Sequence, residues 1–414
     1  MARLALATAL SLAPAAVAAQ TQPAQTPPTQ SAPTQTTPTQ TTPTDRVSFE
    51  GRPGAGVTIT LRDPSISLTV SSRAQFRGTF TAPSQGDPQT DISIRTLRLI
   101  LSGHAFSTDV RYYVQLALAA QDYEQGSASP LFDAWAQYTA ARDLQLRVGQ
   151  FFVPFDRART IREASLQFVD RQQVVRELSL DRDAGVELSS RDLFGLGGRL
   201  QYALGVFSGE GRNRLGGDAG FLYVARLQVS PLGAFDDNLE GDLERRASPR
   251  LAIGVAGAYN QSSTRAQSTL GATLAHGSYD YLHAAADLHF KWRGLSLLAE
   301  GLWRGASQAS HGYVADGRAA TEWSRAGWGY LVQLGVMLGA RVEAVARWDH
   351  LVAITDTDPT LRALASTRGH ELGAGANVYL GGHAYKLQAD WQMNFGDDPS
   401  AAQHLARVQL QLTL

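Results

Sequence analysis

Beyond Asp45 the chain alternates polar and apolar side chains with a period of two, over runs longer than most globular strands reach. Residues two apart share one face of a strand, so each run has a polar face and an apolar one. Across residues 71–81, Arg73, Gln75 and Arg77 fall on one face and Ala74, Phe76 and Phe80 on the other. Across 281–291, His283, Asp287 and His289 oppose Leu282, Ala286 and Leu288. Near the end, Arg407, Gln409 and Gln411 oppose Val408, Leu410 and Leu412. Many runs hold ten residues or more, against a usual ~5–6 in globular sheets and the ~9–11 a tilted membrane strand needs.

A soluble sandwich also alternates, so the period alone does not choose between the two. Strand length favours the membrane. So do Trp292, Trp303, Trp328, Tyr330, Trp348 and Trp391, which sit near the ends of apolar faces as an interfacial girdle requires. The chain also ends inside a strand, where Leu414 stands in place of the terminal aromatic common in outer-membrane barrels. About sixteen such segments run from 68–82 to 403–414. Short connections near Ala140, Arg293, Ala340 and Gly382 alternate roughly with long ones at 231–246, 304–323 and 356–368. The expected fold is all-β, a transmembrane antiparallel β-barrel over 45–414 whose lumen is wide enough to hold water.

The opening residues read as an export leader over 1–19, with Arg3 as its charge, 4–14 as its apolar core and small residues at 16–19 for cleavage. That core is too short to cross a bilayer as a helix, and no later apolar run approaches eighteen residues. Residues 20–44 contain only Gln, Thr, Pro, Ala and Ser, which offer nothing to bury, and read as an extended tether. Its role is that of a spacer or of a contact with the cell envelope.

Net charge is −1, so no nucleic-acid partner is implied. Cysteine is absent, which removes thiol chemistry and thiolate metal sites. No Gly-rich phosphate cradle, HExxH or Gly-x-Ser-x-Gly occurs, and nothing suggests an enzyme or a cofactor. His283, Asp287 and His289 share a face, but same-face neighbours on a strand lie ~7 Å or more apart, too far for one ion. No metal site is assigned.

Between the strand at 144–150 and the one at 184–188 lie about thirty residues without alternation. They are dense in both charges: Arg157, Arg159, Arg162, Arg171, Arg176 and Arg182 against Asp156, Glu163, Asp170, Glu177 and Asp181. A long charged insertion between strands is a place for function. Helical spacing over 161–169 and 174–178 predicts one or two short helices there.

The wording around this insertion is VGQFFVPFDR at 148–157, LDRDAGVELSS at 180–190 and LQYALGVFSGEGRN at 200–213. It resembles the phosphate-selective porin O and P family, and the strand rhythm fits from Leu68 to Leu414. The resemblance implies a bacterial outer-membrane porin and homotrimer, set in outer-membrane lipid. It also implies that the segment over about 153–182 bends into the pore and narrows it. An arginine ladder and an anion site at the narrowing follow from the same likeness, as does passive diffusion of phosphate or other small anionic solutes. Phosphate selectivity in the family also leans on lysines, and this chain has only Lys291 and Lys386.

The residues themselves place Arg73, Arg77, Arg98, Arg111, Arg147 and Arg199 on the polar faces of the first half, beside the insertion. Guanidinium grips phosphate or carboxylate with paired hydrogen bonds, and a column of them lowers the barrier for anions if release stays easy. Arg157, Arg159, Arg162 and Arg171 are expected nearest the permeating solute. Two arrangements remain open at this point: those arginines face the solute, or the neighbouring acids pin the insertion to the wall and leave few of them free. A non-selective or plugged structural barrel tethered to the envelope is the corresponding alternative function.

Overall fold

The structure, a computed structural model, describes residues 47–61, 65–123, 129–214 and 220–414. The leader and tether expected over 1–44 lie outside the described residues.

Two short strands lead in, β1 (Val47–Arg52) and β2 (Gly56–Leu61). The wall begins with β3 (Ser67–Ala82), β4 (Gln89–Ala105), β5 (Ser107–Ala117) and β6 (Leu131–Tyr138). It continues through β7 (Gln145–Phe152), β8 (Arg182–Ser190), β9 (Leu200–Phe207) and β10 (Leu222–Val229). Then come β11 (Arg250–Ser263), β12 (Tyr279–Trp292) and β13 (Leu295–Ala306). A separate hairpin, β14 (Ser310–Ala315) and β15 (Arg318–Trp323), stands apart from the wall. The circuit ends with β16 (Gly327–Met337), β17 (Val342–Ala353), β18 (His370–Gly381), β19 (Tyr385–Phe395) and β20 (Gln403–Thr413).

Each wall strand pairs antiparallel with the next, and β20 returns to β3 with Gln409 opposite Arg77 and Leu410 opposite Phe76. The sheet is thus a closed cylinder of sixteen strands, and β2 adds to it by pairing Val57 with Val70 below the end of β20. All sixteen wall segments read from the periodicity are present. The two additional hairpins, β1–β2 and β14–β15, are not on that count.

Burial in this wall is the reverse of a soluble protein's. On β3, Arg73, Gln75 and Arg77 are buried, whereas Phe76 and Phe80 are 44% and 45% exposed. On β19, Lys386, Gln388 and Asp390 are buried between exposed Leu387 and Trp391. Apolar side chains presented all round a closed sheet fit lipid, where closure also leaves no backbone edge unpaired. Trp303, Trp328, Trp348 and Trp391 all face outward, and Trp303 sits directly across from Trp328 in the register.

The ends of the cylinder differ. At one, strands reverse tightly: Arg293 and Gly294 both take positive φ (51° and 89°) between Trp292 and Leu295, as a two-residue hairpin demands. At the other, connections are long, and one contains the helix α3 (Pro359–Arg368), capped by Asp358, whose side chain accepts from Thr360 N. The connection over 230–249 belongs to the tight-turn end although its sequence groups it with the long loops.

Candidate functional site in the barrel lumen

After β7 the chain leaves the wall, and it rejoins at β8. The neck is held by Val153 N donating to Asp181 O at 3.1 Å. Within the segment lie one turn of helix, α1 (Arg157–Thr160), and α2 (Gln173–Leu178). Asp156 caps α1 by accepting from Arg159 N at 2.6 Å. The helical spacing read over 161–169 yields only a single 3-10 turn at Glu163–Ser165.

The segment lies inside the cylinder because the inner wall supplies both an apolar seat and polar anchors. Phe155, Val174, Val175 and Leu178 are fully buried in one cluster with the inward-facing Leu298, Leu302, Leu331 and Leu351. Around that seat the wall reaches the segment's backbone. Glu300 accepts from Arg157 N and Ala158 N at 3.0 Å each, and Asp390 accepts from Val169 N at 3.0 Å. Lys386 donates to Ala164 O at 3.1 Å and Leu166 O at 2.7 Å. Arg304 donates to Glu177 O at 2.6 Å and to its carboxylate at 2.8 Å. These partners span β13 to β19, so the segment crosses the second half of the barrel.

A second segment meets it from the tight-turn end. The β10–β11 connection folds inward, and Asp237 bonds Arg157 at 2.8 Å while Glu240 accepts from Gln167 N at 2.6 Å. Lys291 fastens this connection by donating to Asp236 O at 3.0 Å and Leu239 O at 2.6 Å. Both lysines of the chain therefore hold loop carbonyls.

Hollow space lies on the side formed by β5 to β9. A cavity of about 710 Å³ there is lined by Arg111, Trp135, Arg147, Arg162, Glu187 and Tyr202 among others. A smaller one of about 170 Å³ is lined by Arg77, Arg95, Asp122, Glu163, Asp170 and Arg171 among others. The adjacent residues Arg162 and Glu163 thus face different cavities.

The ten arginines singled out from the sequence separate by partner. Arg157 is consumed: it bonds Asp287 at 2.6 Å, Asp237 at 2.8 Å and Gln228 at 2.7 Å. Arg159 pairs with Asp181 at 2.6 Å. Arg77 holds Asp170 at 3.2 Å and Val169 O at 2.7 Å, and Arg98 is clasped by Asp122. Arg171 is buried and donates to the backbone carbonyls of Ala158 and Ile161. Arg199 is exposed in the turn before β9, where it donates to Pro231 O at 3.3 Å, and so is not on the lumen wall.

Arg111, Arg147 and Arg162 face the hollow side, and Arg73 stands buried on β3. Among the described residues Arg162 bonds only Tyr113 Oη at 2.8 Å and Gln115 Oε1 at 3.0 Å, with Asp133 3.8 Å away. Arg147 stands 3.7 Å from Glu187. Among the described residues Arg111 and Arg73 have no hydrogen bond or ion pair, and the buried Nε of Arg73 is unpartnered. For the insertion, then, pinning to the wall claims Arg157, a pair within the segment claims Arg159, and Arg162 keeps an open face.

Acids of the segment feel these cations. Burial pushes the Glu163 carboxyl up, but Arg98, Arg171 and Arg182 outweigh it and hold it down at about 2. Asp170, beside Arg77, and Asp181, beside Arg159, are likewise held below the ordinary carboxylate range despite burial.

His283 and His289, considered for a metal, go elsewhere. The His283 ring packs edge-on against Phe155, and His289 Nε2 lies 3.0 Å from Glu240 O. Asp287 between them is taken by Arg157 and Arg226 at 2.6 Å each.

Residues 71–312 match the family described as phosphate-selective porin O and P. The chain belongs to that family. This porin is also similar in structure to OmpF of Salmonella typhi in complex with daunomycin, at 12% identity and a TM-score of 0.57, covering 85% of this chain and 99% of that one. It is similar to an anion-selective porin from Comamonas acidovorans at 10% identity and a TM-score of 0.53, covering 84% and 99%. A third likeness is to the outer-membrane channel DcaP of Acinetobacter baumannii, at 13% identity and a TM-score of 0.50, covering 84% and 97%. At such identities the likeness carries the fold alone. No curated protein sequence matches the porin. Family and fold place it in the bacterial outer membrane as a channel rather than an enzyme.

Sequence reasoning missed the apolar seat and the second inward segment. A signal for the first exists in Leu295-Ser296-Leu297-Leu298-Ala299, which is apolar on nearly every position. A strand apolar on both faces is covered on both, and here the inner cover is α2.

Proposed function

We propose that this porin passes small anions in preference to cations, by passive diffusion along the β5–β9 side of its lumen. The observation that carries the reading is the imbalance of partners on that side. Arg111 has no hydrogen bond or ion pair among the described residues, and Arg162 no carboxylate closer than 3.8 Å. Four of the segment's five acids, Glu163, Asp170, Glu177 and Asp181, are engaged by a wall or neighbouring arginine. Fixed, permanently charged guanidiniums in a water-filled passage favour anions without binding them tightly. Phosphate specificity has less support, since Lys291 and Lys386 both point into loop carbonyls. The segment at about 153–182 acts as the constriction, and its inward anchors keep it from filling the whole lumen.

Reversal potentials in asymmetric KCl test this directly. Wild type is expected to be anion-selective, and the double variant Arg111→Ala, Arg162→Ala to lose most of that preference. Arg157→Ala with Arg159→Ala is expected to disturb conductance more than selectivity, because those cations are neutralised. A cation-selective wild type overturns the reading, and absence of any current favours the plugged barrel.

The reading extends to a homotrimer, by family likeness, and to an export leader cleaved before Gln20. Mass measurement of the detergent-solubilised complex and N-terminal sequencing check these. Deleting residues 20–44 is expected to leave conductance intact if that stretch is a spacer.

A further inference from the structure

We propose that the hollow side of the lumen carries a subsite for planar aromatic carboxylates, formed by Tyr113 and Trp135 between two guanidiniums. The inference rests on the anion preference above and names the kind of anion it serves.

A water-filled passage is ordinarily lined by polar side chains, because apolar surface facing water is unfavourable. Here two large rings face the lumen from adjacent strands. Tyr113 and Trp135 are cross-strand partners, stacked with centroids 5.5 Å apart and planes 12° from parallel. Neither ring is fully buried. The register row that contains Trp135 continues to Gly149, which has no side chain to stand beside the indole, and then to Gly185, against which the Phe207 ring lies. Gly149 has φ of 130°, and a Cβ there would meet Ala134 O at 2.2 Å, which keeps the position bare.

The charges flank the rings. Arg162 lies over Tyr113 with its guanidinium carbon 4.6 Å from the centroid, and Arg147 lies 5.0 Å from the centroid of Trp135. Among the described residues neither has a carboxylate within hydrogen-bond distance, Glu187 being 3.7 Å from Arg147 and Asp133 3.8 Å from Arg162. An aromatic carboxylate satisfies both features at once: its ring covers the part of Trp135 that lines the cavity, backed by Tyr113, while its carboxylate takes the fork of Arg162. Six arginines and four carboxylates line this cavity, and Asp287 further offsets Arg157 and Arg226. So small an excess suits a monoanion better than a phosphate dianion.

Block of KCl current in planar bilayers by sodium benzoate and by sodium cyclohexanecarboxylate tests the subsite, since the two differ in planarity and not in charge. Benzoate is expected to half-block wild type at a concentration roughly threefold to tenfold below that of the saturated acid, the range a stacked ring contributes. Trp135→Leu is expected to bring the ratio close to one, Trp135→Phe to keep most of it, and the outward Trp391→Leu to leave it unchanged. Tyr113→Leu serves as a second variant should Trp135→Leu not insert. Equal block by both acids in an anion-selective wild type overturns the subsite alone, as does a ratio that survives both leucine variants. A cation-selective wild type overturns the anion reading and the subsite with it.

Discussion

Asp156 shows how much a single carboxyl in this lumen depends on its surroundings. It caps α1 through one oxygen, while its other oxygen is buried without a partner. Burial pushes its pKa up to about 6, and the nearby Ser179 hydroxyl and the Arg159 N–H offset this only in part. A raised folded value means that the proton is held more tightly in the fold than in the unfolded chain. The stabilisation is complete below the ordinary value of 3.8 and is lost as pH rises through about 6. Asp156→Asn keeps an oxygen for Arg159 N–H and removes the charge. It is expected to stabilise the barrel by roughly 2 kcal/mol at pH 8 and by little at pH 4. Heat-modifiability midpoints on SDS gels at the two pH values read the difference, and equal shifts at both would sink the argument. Arg157 is the contrasting case, since its removal strands Asp237 beside the partly offset Asp287. Arg157→Ala is expected to cost about 3–5 kcal/mol, as breaking a buried pair does, with the same gel midpoint as its measure.

At the scale of elements, the first inward segment is fastened by charge pairs with the opposite sign of pH dependence. Glu163, Asp170 and Asp181 are held down by neighbouring arginines. Their stabilisation is present above the ordinary carboxylate value, 4.5 for Glu163, and is lost as pH falls toward its folded value of about 2. Single-channel conductance is therefore expected to hold steady from pH 7 to 5 and to become larger and noisier only below about pH 4, as the constriction loosens. Recordings at pH 7, 5 and 3 check this, and an unaltered trace at pH 3 in a channel that still conducts would contradict the pinning. These elements were unevenly legible in the sequence. Wall strands announce themselves because lipid outside and polar surroundings inside impose strict alternation, and α2 because Val174, Val175 and Leu178 recur at helical spacing. The β10–β11 connection looks like any polar loop, since its inward path is set by Lys291 and Gln167, which lie far along the chain. For the same reason no local pattern tells a consumed Arg157 from an open Arg162. Their partners come from β10, β12 and the second inward segment in one case and from β5 in the other.

For the whole molecule, alternation says which side chains share a face but not that the faces close into a cylinder; that depends on β3 meeting β20, with Gln75 bonded to Gln411 at 2.7 Å. Closure makes the outer surface continuous, so its tolerance of charge must vary with depth in the bilayer and not with the local strand. Val332 stands outward at the middle of β16, 40% exposed, and Val342 stands outward at the tight-turn end of β17, 38% exposed. To water the two sites would be equivalent, and arginine at either would change stability by no more than about 0.5 kcal/mol. To lipid they differ: Val332→Arg is expected to cost about 2–4 kcal/mol, and Val342→Arg less than about 1 kcal/mol, since its guanidinium reaches the headgroups. Equilibrium unfolding in urea from phospholipid vesicles measures both. Similar small costs at the two positions would place water rather than hydrocarbon around the barrel. A steep difference ties the inverted burial of the wall to the membrane it spans.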